Sequence, residues 1–353
     1  MKKSLYLILV SLFVAGLGRT LACTNLIVGK KASKDGSVMI SYSCDDYGAF
    51  GFMNWQPGGT HKKGEMRPLY HYESNNYLGE IPEAKQTYSV IGLMNEFQLT
   101  IHETTFGGRE ELEDTTGLFD YGSLMYVTLQ RARNAREAIK VMGELVEKYG
   151  YCTNGESFSI ADPNEVWILE MIGKGPGRKG AVWVAVRIPD DCISAHANQS
   201  RIRQFPLKDK ENCIYSKDVI SFAREKGYFN GKDEDFSFQA AYAPTDFGAQ
   251  RFCEARVWSF FNRWAAEDMK PYLGYAMGES GAAPMPLYVK PKQPLSVQDV
   301  KEMMRDHYEG TPLDVLNDPG MGPWEMPYRP TPLSYEVDGK QYFNERPIST
   351  QQT

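Results

Sequence analysis

Pairs of strand-like segments joined by short turns run through most of the chain. In the first pair, residues 23–31 and 37–44 are rich in Ile, Val and Tyr, and Lys34-Asp35-Gly36 between them is a turn signal. The other strand-like segments are residues 87–94, 97–103, 156–161, 165–172, 181–188 and 192–197. Because local hairpins outnumber strand–helix–strand units, the pattern predicts mostly antiparallel sheets.

Helices are predicted from apolar residues that recur at helical spacing. The longest such stretch is 120–149, where Leu124, Val127 and Met142 recur with charges between them. Further helices are predicted at residues 215–226, 251–266 and 296–308. The Pro-rich residues 311–347 are predicted to be irregular. Helices outside antiparallel sheets make a layered α+β sandwich, and 21 Tyr, 17 Phe and 6 Trp suit its β-rich core.

The N-terminal residues have the layout of a secretory signal peptide. A positively charged start precedes an apolar run over residues 5–17, and small residues stand at the first and third positions before Cys23. The run is too short for a comfortable transmembrane span, and no later stretch is long enough. We therefore expect residues 1–22 to be removed and residues 23–353 to form one domain, exported to the periplasm or outside the cell.

Composition excludes some classes of protein. With 39 basic and 45 acidic residues, the net charge of −6 argues against a nucleic-acid binder. No CxxC pair occurs among the six cysteines and the five histidines are scattered, so the spacing of a zinc site is absent. Without Cys23 five cysteines remain, and buried thiols or one or two disulfides are both open. The sequence also leaves open a homo-oligomer.

A cysteine at the first position of a processed chain has chemistry of its own. A free α-amine titrates near pH 7.7–8.0 in model peptides and can take the proton of the adjacent thiol, which makes a nucleophile without a histidine. Folding the first hairpin about its turn places Cys23 opposite residues 45–48, where the carboxylate of Asp45 or of Asp46 could orient the amine. The plain alternative is a buried thiol that merely follows the cut.

A third interpretation of Cys23 is the acylated cysteine of a bacterial lipoprotein. Thr20, Leu21 and Ala22 match the residues that usually precede such a cysteine poorly. Strand-like residues also begin at once, with Leu26, where a lipoprotein tends to have a polar tether. This leaves a lipid-anchored, non-catalytic binding protein as a hypothesis from another functional class.

Three motifs carry a resemblance to a known family. The stretch "CTNLIVGKKASKDGS" from Cys23 resembles the start of the C69 dipeptidases, which belong to the N-terminal nucleophile hydrolases. "LSVQDVKEMMRDHYEGTPLD" over 295–314 and "HANQSRI" over 196–202 resemble two further regions of that family. The resemblance covers most of the chain after the leader. It implies a four-layer αββα sandwich and a thiol peptidase that cleaves small peptides and needs no metal or organic cofactor.

The resemblance also implies roles for five residues. Cys23 matches the nucleophile, and Asp45 matches the aspartate that contacts the α-amine in related cysteine amidases. Asn95 and Asn198 match two residues that help to form the oxyanion hole, and Arg256 is matched to an arginine further along the chain. Without the resemblance, Asn95 reads as a turn residue, Asn198 as a cap and Arg256 as a surface charge.

Two histidines have a simpler interpretation than catalysis, and the chain departs from the family in two places. The histidines His196 and His307 are predicted to be structural, because the amine already supplies a base. Many relatives have an arginine near the end of the second strand, whereas this chain has none over 41–44. The ending "NERPISTQQT" resembles the entry to a further strand, so we expect a shortened version of a longer protein.

An amidase of the same fold, acting on N-acyl amino acids or conjugated bile salts, is the alternative function.

Overall fold

The computed structural model describes residues 22–45, 53–314, 333–337 and 340–344. The strands are β1 Ala22–Val28, β2 Met39–Asp45, β3 Trp55–Gln56, β4 Gly59–Thr60, β5 Met66–Tyr70, β6 Tyr77–Pro82, β7 Gln86–Thr87, β8 Val90–Ile91, β9 Met94–Asn95, β10 Thr100–Gly107, β11 Gly155–Ala161, β12 Val166–Gly173, β13 Ala181–Ile188, β14 Ile193–His196, β15 Cys213–Tyr215, β16 Tyr288–Val289, β17 Leu333–Val337 and β18 Lys340–Asn344. The α-helices are α1 Tyr121–Leu129, α2 Ala135–Tyr149, α3 Val219–Glu225, α4 Phe238–Tyr242, α5 Ala255–Trp264, α6 Leu273–Ala276 and α7 Val297–Met303, and a π-helical turn over Ala249–Glu254 leads into α5.

Two antiparallel sheets organise the described residues. One has four strands in the order β16-β14-β1-β2, and the other has eight in the order β15-β13-β12-β11-β10-β9-β8-β3. The predicted α+β class with antiparallel sheets is confirmed. The strand-like segments over 156–161, 165–172 and 181–188 are neighbours in the eight-stranded sheet, whereas the segment over 192–197 contains β14, which pairs with β1 in the smaller sheet.

Both sheets bury apolar side chains on both of their faces. On one face of the larger sheet, Trp167 of β12 packs in a cluster with Ile139 and other residues of α1 and α2. The next residue of β12, Ile168, belongs to a different cluster that includes Ile27 of β1, so this cluster draws on both sheets. A third cluster joins β1 and β14 to α5 through residues such as Phe260. Because successive side chains of a strand point to opposite faces of the sheet, they pack into different apolar clusters.

The long predicted helix over 120–149 is two helices in the structure. The chain leaves helical geometry after α1, and α2 begins at Ala135 because the Asn134 side chain accepts a hydrogen bond from the Glu137 backbone N–H. Asn with Glu three residues later is a helix-start signal inside the predicted helix. The periodic apolar pattern continues across the break because both helices pack on the same cluster.

Two other expectations need correction. The predicted strand over 87–94 is divided among three two-residue strands, β7, β8 and β9. The region over 311–347 was expected to be irregular, but it contains the hairpin β17–β18. Residues 1–21 of the predicted leader and residues 345–353 lie outside the described residues. None of the helices in the described ranges has the length and apolarity needed to cross a bilayer.

Candidate active site

Cys23 lies near the start of β1, in the hairpin that joins β1 to β2. The backbone ladder runs from a Val28–Met39 pair at the turn to a Cys23–Cys44 pair near its open end. The predicted partners of Cys23, residues 45–48, are therefore wrong by one position. The turn signal located the reversal of the chain, but the register depends on the irregular connection between the strands, which the signal does not determine.

Of the two aspartates predicted to orient the Cys23 amine, Asp45 alone lies in the described residues. Asp45 is the last residue of β2, and its backbone pairs with that of Ala22. The side chain of Asp45 and the whole of Asp46 lie outside the described part of the structure. A role for either carboxylate therefore stays a prediction.

The Cys23 thiol is enclosed by polar groups. The residue is 1 % exposed, and its Sγ lies 4.0 Å from Oε1 of Glu103. A hydrogen bond with the Cys44 side chain, burial and the Glu103 carboxylate raise the pKa of the Cys23 thiol well above its usual range. In a chain that still carries Ala22 the thiol is therefore neutral, and an adjacent base is needed to make it a nucleophile.

Asn198 holds the backbone nitrogen of Cys23. The Cys23 N–H donates to Oδ1 of Asn198 at 2.7 Å, and Nδ2 of Asn198 donates to the carbonyl oxygen of Thr105 at 2.8 Å. Asn198 follows β14 with φ +57°, a left-handed conformation that Asn adopts more readily than most residues. The structure therefore brings Asn198 and Cys23 together, through the atom that becomes the α-amine when Ala22 is removed.

Arg256 connects Cys23 to Asn198 from the opposite side. It is 2 % exposed, and its Nη1 donates to the carbonyl oxygen of Cys23 at 2.7 Å and to Oγ1 of Thr24 at 2.9 Å. Its Nη2 donates to the carbonyl oxygen of Ala197 at 3.0 Å and to Oδ1 of Asn198 at 2.9 Å. The planar guanidinium thus holds the two segments that carry Cys23 and Asn198 in a fixed relation.

Asn95 is placed differently from Asn198. Its Nδ2 donates to the carbonyl oxygens of Leu129 and Ala132 at 2.7 and 2.8 Å, and its Oδ1 accepts from the N–H groups of Phe97 and Leu99. Both amide hydrogens are therefore used to hold the β9–β10 turn against the end of α1. This arrangement matches the turn interpretation, and we leave Asn95 out of the oxyanion site.

The two histidines noted in the sequence have structural contacts. His196 is fully buried, with Nδ1 2.7 Å from Oγ1 of Thr104 and Nε2 2.7 Å from Oγ of Ser159, so it bridges the two sheets. Burial lowers the pKa of His196 to about 3, so its ring is neutral. The His307 ring lies 3.2 Å from Oε1 of Glu309, in the loop after α7.

Sequence reasoning missed two acidic residues beside the thiol. Glu103 of β10 and Glu156 of β11 are 1 % and 0 % exposed, and the Tyr42 hydroxyl donates to Oε1 of Glu103. The available signal was a single acidic residue inside each of two strand-forming segments, "TIHETTFG" for Glu103 and "GESFSIA" for Glu156. Within the described ranges, no three His, Cys, Asp or Glu side chains are arranged to hold a metal ion. None of the six cysteines, all of which lie in the described ranges, forms a disulfide.

A backbone nitrogen, a thiol, an asparagine and an arginine thus meet at the start of β1, and the motifs that contain them match a known family. The model of peptidase family C69 matches residues 22–353. The chain belongs to peptidase family C69. Membership identifies it as a hydrolase of peptide bonds, as the resemblance of its motifs indicated.

Several curated relatives are similar over most of this C69 chain. It is 30 % identical to a probable dipeptidase of Salmonella dublin over 322 residues, which cover 85 % of this chain and 69 % of the relative. It is 27 % identical to a probable dipeptidase of Latilactobacillus sakei, covering 89 % and 66 % of the two chains. It is 28 % identical to dipeptidase A of Lactobacillus helveticus, covering 92 % and 70 %. The chain thus spans about two thirds of the length of these relatives.

Proposed function

We propose that this chain is an exported dipeptidase whose nucleophile, Cys23, is freed by removal of residues 1–22. The observation that carries the proposal is the set of contacts around one residue. Asn198 accepts a hydrogen bond from the Cys23 nitrogen, and Arg256 donates one to the Cys23 carbonyl. A structural cysteine needs no such support for its backbone, whereas an N-terminal nucleophile must have both its amine and its thiol positioned.

The α-amine of Cys23 is the proposed general base. Cleavage before Cys23 converts an amide nitrogen, which accepts no proton at neutral pH, into an amine with a pKa near 7.7–8.0 in model peptides. The Arg256 guanidinium contacts the same Oδ1 of Asn198 that holds this nitrogen, and its positive charge favours the neutral form of the amine. The neutral amine takes the thiol proton directly or through one water.

Hydrolysis then proceeds in two steps. The thiolate attacks the carbonyl carbon of the peptide bond and forms an S–C bond, while the carbonyl oxygen becomes an oxyanion. The second N–H of the Asn198 amide, beside the one given to Thr105, is the proposed donor to this oxyanion. The C–N bond breaks as the α-ammonium of Cys23 protonates the leaving amine. Water, deprotonated by the same α-amine, cleaves the thioester and restores the thiol.

The layout of the core supports the four-layer αββα arrangement that the family implies. One cluster joins α1 and α2 to the larger sheet, another joins α5 to the smaller sheet, and a third draws on both sheets. We therefore propose that one layer of helices lies on the outer face of each sheet. Burial of the Cys23 thiol also weighs against the lipid-anchored alternative, since a diacylglycerol group would need space around Sγ.

A set of single substitutions tests the nucleophile. Each of the six cysteines is replaced by Ala, and turnover of a dipeptide is measured on processed protein. We expect Cys23→Ala to abolish turnover and the others to retain it. Cys192→Ala is the matched control, because Cys192 is 4 % exposed and is bonded to neither Asn198 nor Arg256. Turnover by Cys23→Ala at the wild-type rate would refute the proposal.

A further inference from the structure

Two buried carboxyl groups lie together beside the Cys23 thiol, outside the set of groups that the proposed chemistry uses. Glu103 is opposite Phe158 in the β10–β11 ladder, and Glu156 is opposite Thr105. The two glutamates are therefore diagonal neighbours on one face of the sheet, at a spacing that lets their side chains meet. Both are almost completely buried.

Half of the oxygen atoms of this pair have partners and half do not. Oε1 of Glu103 accepts from the Tyr42 hydroxyl, and Oε2 of Glu156 accepts from Oγ1 of Thr105 at 3.0 Å. Oε2 of Glu103 and Oε1 of Glu156 are buried with no donor among the described residues, except that one carboxyl can donate to the other when it is protonated. Ionised together, the two groups are short of positive charge and of donors.

A neighbouring amide has the same deficit. Asn25 is fully buried on β1, two residues after Cys23, and its Nδ2 donates to the carbonyl oxygen of Glu103 at 2.7 Å. Its Oδ1 has no donor among the described residues. Three buried acceptor atoms near the thiol therefore have no donor among the described residues beyond a proton shared between the two carboxyl groups, which is unusual because buried polar groups are nearly always hydrogen-bonded.

The electrostatics favour a cation with several N–H donors. Burial raises the pKa of Glu103 and of Glu156. The charge of Glu103 and its hydrogen bond with Glu156 raise the pKa of Glu156 further, whereas the same hydrogen bond lowers the pKa of Glu103. Glu73, which accepts a hydrogen bond from Tyr121 at 3.0 Å, contributes further negative charge. A positive group beside the pair offsets its buried negative charge and supplies N–H donors to its oxygen atoms.

We propose that Glu103 and Glu156 bind the free α-ammonium of the peptide substrate, which restricts the enzyme to peptides with an unblocked N-terminus. The inference rests on the proposed attack by Cys23. In a dipeptide the ammonium nitrogen is only about 2.5 Å from the carbonyl carbon that the thiolate attacks, because a single Cα separates them. Oε1 of Glu103 is 4.0 Å from Sγ, so a carbonyl carbon at the thiol places the ammonium within reach of this carboxylate.

The same geometry separates the two substrate classes that the sequence left open. An N-acyl amino acid or a conjugated bile salt has no positive charge next to the carbonyl that is attacked. It would leave the Glu103–Glu156 pair without a counter-ion and with its acceptors unpaired. The pair therefore favours dipeptides and disfavours acyl-amino acids, by a penalty typical of unpaired buried polar groups.

The test compares two substrates of nearly equal shape. Alanyl-alanine carries the ammonium, and isobutyryl-alanine has a methyl group in its place. We measure kcat/KM for both with wild type, Glu103→Gln, Glu156→Gln and the control Glu144→Gln, whose glutamate is exposed on α2. Wild type and control should prefer alanyl-alanine by roughly 10- to 150-fold, the equivalent of one hydrogen bond to a charged group. Both variants in the pair should lose most of this preference, through a lower kcat/KM for alanyl-alanine alone.

Other outcomes overturn the inference in distinguishable ways. If wild type cleaves both compounds equally well, hydrolysis by Cys23 stands and the ammonium subsite is refuted. If both glutamate variants slow the two substrates by the same factor, the pair holds the enzyme's own amine and not that of the substrate. If wild type cleaves neither compound, the proposed function fails and the subsite fails with it. The ratio of kcat/KM for alanyl-alanine to that for isobutyryl-alanine is measured on wild type. The inference can therefore be refuted even if a glutamine variant misfolds.

Discussion

Replacement of Arg256 is the perturbation for which the structure gives the clearest expected magnitude. The side chain is 2 % exposed and donates to the carbonyl oxygens of Cys23 and Ala197 and to side-chain oxygens of Thr24 and Asn198. Arg256→Ala removes every one of these donors and leaves a cavity that water can enter only in part. The variant therefore tests whether the arginine holds the site together.

The cost follows from the number of acceptors left unpaired. Of the four acceptors, Oδ1 of Asn198 keeps the Cys23 N–H and Thr24 keeps another interaction. A buried acceptor that loses its donor costs about 1–3 kcal/mol, so the carbonyl oxygens of Cys23 and Ala197 together give about 2–6 kcal/mol. We expect the free energy of unfolding to fall by about 4 kcal/mol, a large part of the 5–15 kcal/mol typical of a domain. Arg256→Lys keeps a positive charge but cannot donate to both sides at once. It should lose less stability and about 100-fold in kcat, since small misplacements near a nucleophile have effects of that size.

Urea titration measures stability, and dipeptide turnover measures kcat. The control is Arg251→Ala, one turn earlier in the chain, where Arg251 is partly exposed and lies 6.0 Å from the centre of the Phe252 ring. It should change the free energy of unfolding by less than about 0.5 kcal/mol, as surface substitutions do. If Arg256→Ala changes the free energy of unfolding by less than about 1 kcal/mol and leaves kcat unchanged, the positioning role of Arg256 is wrong.

Three other predictions use single residues. Asn95→Ala should lower the free energy of unfolding by about 1–3 kcal/mol yet leave Cys23 alkylation and dipeptide turnover intact. Asn198→Ala should lose dipeptide turnover with a smaller change in the free energy of unfolding. Equal losses of turnover in the two variants would contradict this difference in roles. A Cβ added to Gly29 would lie 2.5 Å from the Asp190 backbone oxygen, so Gly29→Ala should cost about 1–3 kcal/mol in urea titration, and Gly59→Ala, which has open space, about zero. Because burial lowers the pKa of His196 to about 3, the unfolded chain binds a proton below about pH 6.5 that the folded chain does not. Stability from this residue must therefore fall as the pH decreases from about 6.5 towards 3, and His196→Asn should show a shallower fall than wild type.

Local patterns in the sequence were enough for the class of the fold. Alternating residues and short turns predict antiparallel pairs because each pair is decided by a few neighbouring residues. The fate of β14 could not be predicted in this way. Its residues suit either sheet, whereas its pairing with Asn25 to Val28 and its place in one apolar cluster with β1 and α5 are contacts between segments far apart in the chain. The break after α1 had a local signal at Asn134, but the continuous apolar pattern concealed it.

The site was predictable only in part. The leader and the first motif indicated Cys23, and the family resemblance led to Asn198 and Arg256, which the structure brings to the same nitrogen and carbonyl. Glu103 and Glu156 could not be assigned from the sequence. A glutamate in a strand can face water or the interior, and a shift of register by one residue exchanges the two.

The most direct test of the central claim compares two proteins that differ at one end only. One begins at Cys23, and the other carries an Ala22 that cannot be trimmed; intact mass confirms both termini. In the second protein the nitrogen that donates to Asn198 remains an amide and accepts no proton. General-base help is worth about 10²–10⁴ in rate, so the account predicts that dipeptide turnover by the extended protein is lower by that factor. Turnover within a few-fold of the protein that begins at Cys23 would contradict the claim that the amine of Cys23 is the base.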